Sequence, residues 1–147
     1  MGKRRKSREL AVKVLFHLDV NGGEVDEAVK LIRLHFGSPK GLESFALELV
    51  EGVMEHAAEI DLLIKEASVH WRLERMPGVD RNILKIAVFE MGWRKDIPPR
   101  VSIDEAVELG KIYGGDDSPS FINGVLDRVL NTLSENGRLA GVATAGS

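Results

Sequence analysis

Arg81-Asn82-Ile83-Leu84-Lys85-Ile86-Ala87-Val88-Phe89-Glu90-Met91-Gly92-Trp93 is the stretch whose reading decides the fold. Ile83, Leu84, Ala87, Val88 and Met91 recur at the spacing of one helical face, and Ile86, Phe89 and Trp93 cover much of another. A helix that is apolar on most sides has to be wrapped by other elements, so this segment predicts a central helix. Three-and-four spacing continues outward from it in both directions, and no segment alternates with period two over a convincing length.

On the C-terminal side, Ile97-Pro98-Pro99 must break the central helix, because proline lacks the N–H that the helix interior needs. Ser102-Ile103-Asp104-Glu105 fits a capping box, with Val101 and Ala106 placed as its hydrophobic staple. That helix is expected to run past Lys111 to Gly114-Gly115. Ser118-Pro119 then caps a last helix with the stripe Phe121, Ile122, Val125, Leu126, Val129, Leu130 and Leu133, stopped at Asn136-Gly137.

On the N-terminal side, Met76-Pro77-Gly78 is the best candidate for a boundary between halves. Leu10, Ala11, Val14, Leu15 and Leu18 predict a first helix ending at Asn21-Gly22-Gly23, and Val25, Ala28, Val29 and Ile32 a second, closed by Gly37. After a Ser38-Pro39 cap, the stripe Leu42, Phe45, Ala46, Leu49, Val50 and Val53 resumes at Ile60, Leu63, Ile64 and Ala67, as one bent helix or two in succession. The expected architecture is all-α: six or seven helices in two small packed bundles, about 1–70 and 71–138, within one domain spanning 1–138. The Gly/Ala-rich tail 139–147 has too little to bury and is expected to be disordered.

Composition narrows the chemistry. The 147 residues are 44% hydrophobic and 29% charged, enough apolar surface to build a core and far from a disordered composition. The chain has no cysteine, which excludes thiol catalysis, disulfides and cysteine metal sites. His17, His35, His56 and His70 lack the close pairing of a helical zinc site. Gly110-Lys111 is no phosphate loop, since Glu105 stands where the upstream glycine belongs and Ile112 where Ser or Thr should follow. With no convergent acid, base or nucleophile, the sequence points away from an enzyme and to no cofactor or metal. No apolar run nears the roughly 20 residues of a membrane span, and the basic N-terminus has no signal-peptide pattern. A cytoplasmic protein is expected.

Charge supplies the positive clue. Lys3, Arg4, Arg5, Lys6 and Arg8 precede the first acid, Glu9; taking those five from a net charge of −3 leaves −8 on the rest. A basic head on an acidic body is the pattern of a nucleic-acid-binding arm, or of a merely solvated terminus. Two features stand outside the helical pattern. Asp116-Asp117 lies just before the last helix, where anions complement its dipole by about 0.3–1 kcal/mol, and Phe121 falls in that helix's first turn, free to enter the core or to stack on something external. Trp71-Arg72-Leu73-Glu74-Arg75-Met76 is an amphipathic stretch at the expected boundary.

Taken together, several stretches resemble the NusB family of transcription antitermination factors. They are Arg4-Arg5-Lys6-Ser7-Arg8-Glu9-Leu10-Ala11, Trp71 to Arg75, Val79-Asp80-Arg81-Asn82-Ile83-Leu84, Asp96-Ile97-Pro98, Ile103-Asp104-Glu105-Ala106-Val107-Glu108-Leu109, Ser118, and Phe121-Ile122-Asn123-Gly124-Val125-Leu126-Asp127. No single piece is specific, but the ordered set covers almost the whole chain. The resemblance implies two helical bundles that bind the single-stranded boxA element of ribosomal RNA leaders jointly with NusE, a small-subunit ribosomal protein, in the RNA polymerase antitermination complex. It further implies RNA contacts at Arg4, Arg5, Lys6 and Arg8, an acidic RNA-facing position at Asp117, a stacking ring at Phe121, and RNA-proximal positions at Glu74 and Lys85. NusE would meet Phe16, where relatives often carry Tyr, and Asp80. Gly110 departs from the family's usual Ala, at a helix cost of about 1 kcal/mol. Other readings are a NusB-like helper domain of an RNA cytosine methyltransferase, or a structural bundle that forms a homodimer without binding RNA.

Overall fold

The computed structural model describes residues 2–37, 42–68 and 76–137, and every regular element among them is helical. In chain order these are α1 (Gly2–Asn21), α2 (Val25–Phe36), α3 (Leu42–Glu55), α4 (Ala57–Ala67), α5 (Gly78–Trp93), α6 (Pro99–Tyr113) and α7 (Ser118–Glu135). The Ser38-Pro39 cap, the stretch from Trp71 to Arg75 with Glu74, and the tail 139–147 lie outside the described residues.

The chain divides into two compact units, Met1–Glu55 and His56–Ser147. The division falls earlier than the expected boundary at Met76-Pro77-Gly78, because α4 does not continue α3. Its buried face of Ile60, Leu63, Ile64 and Ala67 packs against α5 and α7. Arg128 of α7 donates to the carbonyl of Ala67 at 3.0 Å, satisfying one of the carbonyls that a helix end leaves without a partner.

In the first unit α1 packs on both α2 and α3. Leu10, Ala11, Val14 and Leu15 are buried, as are Ala28, Val29 and Ile32, and Phe45, Ala46, Leu49, Val50 and Val53. Gly22 and Gly23 turn the chain between α1 and α2 with φ of +68° and +100°, a region that side chains with a Cβ enter only at a cost. Arg33 and Glu43 form an ion pair linking α2 to α3.

In the second unit α5 is the hub, packed by α4, α6 and α7. Its Ile83, Leu84, Ile86, Ala87, Val88, Phe89 and Met91 are all buried. Buried among them are two acids, Asp80 and Glu90, and each takes a serine from another helix. The hydroxyl of Ser102 donates to Glu90 Oε1 at 2.7 Å, and that of Ser118 lies 2.8 Å from Asp80 Oδ1.

Those serines correct two expected caps. α6 begins at Pro99, three residues ahead of Ser102; a proline there has no N–H to satisfy and a φ already suited to the helix. Ser102 is therefore inside α6, free to serve Glu90, and Val101 is exposed and staples nothing. Likewise α7 begins at Ser118 itself, with Asp117 in the cap position and no side-chain capping bond.

Gly110 also finds its reason here. A Cβ at Gly110 would stand 2.8 Å from Ile122 Cδ1 and 3.6 Å from Pro119 Cα. The tight contact is with the terminal methyl of Ile122 on α7, for which the glycine leaves room, and that offsets part of its poor helix propensity.

Candidate nucleic-acid interface

The first candidate surface lies in the first unit, on the opening turns of α1. No acid occupies the first turn, although the N-terminus of a helix carries partial positive charge and disfavours cations. A cluster of arginine and lysine placed there lowers the cost of bringing in an external anion. Arg4 and Lys6 are exposed and Arg5 is half-buried.

Part of the cluster is held by a ring of α3. The guanidinium of Arg4 sits 4.7 Å from the centroid of Phe45, and that of Arg8, one turn on, sits 5.7 Å from it. Such contacts contribute about 0.5–2 kcal/mol each and fix the direction of the opening turns. Arg8 itself is only 4% exposed, so its burial removes it from the phosphate-contacting set and makes it an anchor. The signal was in the sequence: Arg8, Val12 and Leu15 share a helical face, and Val12 and Leu15 are buried. Further along α1, Phe16 is 45% exposed and Val20 more so, one turn apart on the same face.

The second surface lies in the second unit, where α7 begins. An open pocket of about 370 Å³ is lined by Met76, Pro77, Asp80, Gly115, Asp116, Asp117, Ser118 and Phe121. Phe121 is half-buried and lines this space, while Asp116 and Asp117 are exposed. The Phe121 N–H donates to the Asp117 carbonyl at 3.0 Å, which places ring and acid on successive turns of one backbone. Among the described residues the charged groups of the lining are all acidic, Asp80, Asp116 and Asp117. The pocket suits a flat ring carrying amino groups: a nucleobase can stack on Phe121 and donate to a carboxylate.

Asp80 does not serve as an exposed partner contact. It is 4% exposed, with both carboxylate oxygens turned to Ser118. Lys85, on α5, has a side chain 18% exposed and its Nζ 3.8 Å from Asp61 Oδ1, so its charge is already partly met by α4. Sequence reading singled out neither Met76 nor Pro77 as pocket residues, and Ser118 passed for a cap because its partner lies 38 residues away.

Comparison with known proteins settles which family this is. The sequence profile of the NusB family matches residues 5–131. The chain belongs to the NusB family. Among its relatives, the transcription antitermination protein NusB of Desulforamulus reducens is 47% identical over 133 residues, covering 90% of this chain and 92% of that protein. T. maritima NusB superposes with a TM-score of 0.78 at 36% identity, covering 87% of this chain and 90% of that one. A crystal structure of the antitermination factors NusB and NusE in complex with double-stranded RNA gives a TM-score of 0.80 at 28% identity, over 90% of this chain and 98% of the other. The all-α fold of this NusB-family chain is thus shared with those solved structures.

Proposed function

We propose that the protein is a transcription antitermination factor that binds single-stranded boxA RNA of ribosomal RNA leaders together with NusE, supporting processive transcription of ribosomal RNA. The observation that carries this reading is the pocket beside α7, where a half-buried ring stands with two exposed carboxylates, in a chain of the NusB family. Its role is binding and not catalysis, and it is exercised in the cytoplasm, within the RNA polymerase antitermination complex. None of the helices among the described residues is long and apolar enough to cross a membrane.

Arg4, Arg5 and Lys6 neutralise phosphates, a contribution that fades with salt by about 0.7 log units per contact per decade on single strands. Phe121 stacks on an unpaired base and Asp117 accepts from a base amino group, which supplies selectivity. The family resemblance adds Lys85 and Glu74 as further RNA-proximal positions. Phe16 offers NusE an exposed ring without the hydroxyl that relatives often have, and Val20 extends that apolar face. Asp80 acts from beneath the surface.

Gel shifts of the protein, NusE and boxA RNA test the reading. The protein alone should bind weakly and lose affinity as salt rises; NusE should tighten binding because two surfaces then share one strand. Equal affinity for a scrambled or fully duplex RNA contradicts it.

A further inference from the structure

Resting on that reading, we infer that Ser118 and Asp80 are a positioning pair: they touch no RNA, and they set the base selectivity of the pocket by holding the 114–117 loop and the start of α7. The two are 5% and 4% exposed, too enclosed to meet a ligand directly. The Ser118 oxygen lies 2.8 Å from Asp80 Oδ1 and 2.9 Å from Oδ2, so its single proton is shared by the two carboxylate oxygens. The same oxygen accepts from the N–H of Gly115 at 2.9 Å. One hydroxyl therefore joins the first turn of α5, the loop and the first residue of α7.

The selectivity groups hang directly on this junction. Asp117 precedes Ser118, and Phe121 lies one turn on, with its N–H on the Asp117 carbonyl. Contact reinforces the hydrogen bonds: a Cβ added to Gly114 would fall on the Cβ and Oγ of Ser118. The backbone at 114 is pressed against the very side chain that Asp80 orients. The buried carboxylate at the start of α7 also complements that helix's positive end, so orientation and charge favour one arrangement. A loop set from behind can present Asp117 to one kind of base edge; released, it keeps its acid and its ring but loses their register.

The experiment compares wild type with Ser118→Ala, Asp80→Ala, Asp80→Asn and Gly114→Ala, each with NusE, on boxA RNA and on boxA RNAs with single bases replaced. Ser118→Ala and Asp80→Ala should lose about three- to tenfold affinity for boxA and little for the replaced sequences, so that discrimination falls while the salt slope stays. Gly114→Ala should do the same by displacing the loop from the other side. Asp80→Asn keeps the shape and an acceptor for the hydroxyl and should retain most of the discrimination, whereas a role carried by the carboxylate's charge alone predicts its loss. Amide hydrogen exchange supplies a readout without RNA: Gly115 should exchange faster in Ser118→Ala than in wild type, with the helical core still protected. Unchanged discrimination in folded Ser118→Ala, a loss equal for every RNA, or unaltered Gly115 exchange would each overturn the inference. If wild type itself fails to discriminate boxA, the proposed function falls, and the exchange result alone decides whether the pair holds the loop.

Discussion

Phe121 and Arg5 stand for the two kinds of contact the account requires, and they separate by salt. Phe121→Ala removes a stacking partner worth about 1–3 kcal/mol and no charge. Affinity for boxA should fall while the slope of log affinity against log salt holds. Arg5→Glu should weaken binding to all RNAs and reduce that slope by about 0.7 or more. Titrations at several salt concentrations check both, and equal slope losses would remove the stacking role. Arg8 belongs to a different class, since it is buried against Phe45. Arg8→Ala should cost about 1–2 kcal/mol of stability through lost ring contact and packing of its stem. The thermal midpoint reads that loss, and RNA binding by the folded fraction should change less than in Arg5→Glu.

At the scale of helices, what local spacing encodes was legible and what distant partners decide was not. The apolar stripe of α5 announced a central helix, and its residues are buried as that stripe requires, except for the half-buried Trp93 at its end. Ser102 and Ser118 looked like caps because Ser and Thr before an apolar run usually are. Both are instead turned onto buried acids of α5, 12 and 38 residues away in sequence, a pairing no local pattern announces. Ser102→Ala should therefore cost about 1–3 kcal/mol, the penalty for withdrawing a donor from a buried acid, seen as a lower denaturation midpoint with RNA affinity intact. Gly110 makes the complementary case. Helix propensity alone says that Gly110→Ala should stabilise α6 by about 1 kcal/mol, but the new Cβ would meet Ile122 at 2.8 Å. Overpacking of that kind costs about 1–3 kcal/mol, so the thermal midpoint should fall; a rise would show that the Ile122 methyl turns aside cheaply. In the candidate site, residue types were legible and depth only in part: the face shared by Arg8, Val12 and Leu15 carries the burial of Arg8, whereas nothing local marks Asp80 as buried.

Across the whole molecule, a net charge of −3 conceals a basic head on a body that repels phosphate. The two units offer different chemistries: cations at the start of α1 for the strand's backbone, and an acid-rimmed ring beside α7 for a base. Affinity from the first and selectivity from the second is the division of labour proposed for antitermination. Chemical-shift mapping of the labelled protein titrated with boxA RNA tests it most directly. The account predicts that the largest perturbations gather at Arg4, Arg5 and Lys6 and at Asp117 and Phe121, with the former set fading first as salt is raised. Perturbations confined to other faces, such as the exposed Leu31 and Leu34 of α2, with both sets silent, would contradict it.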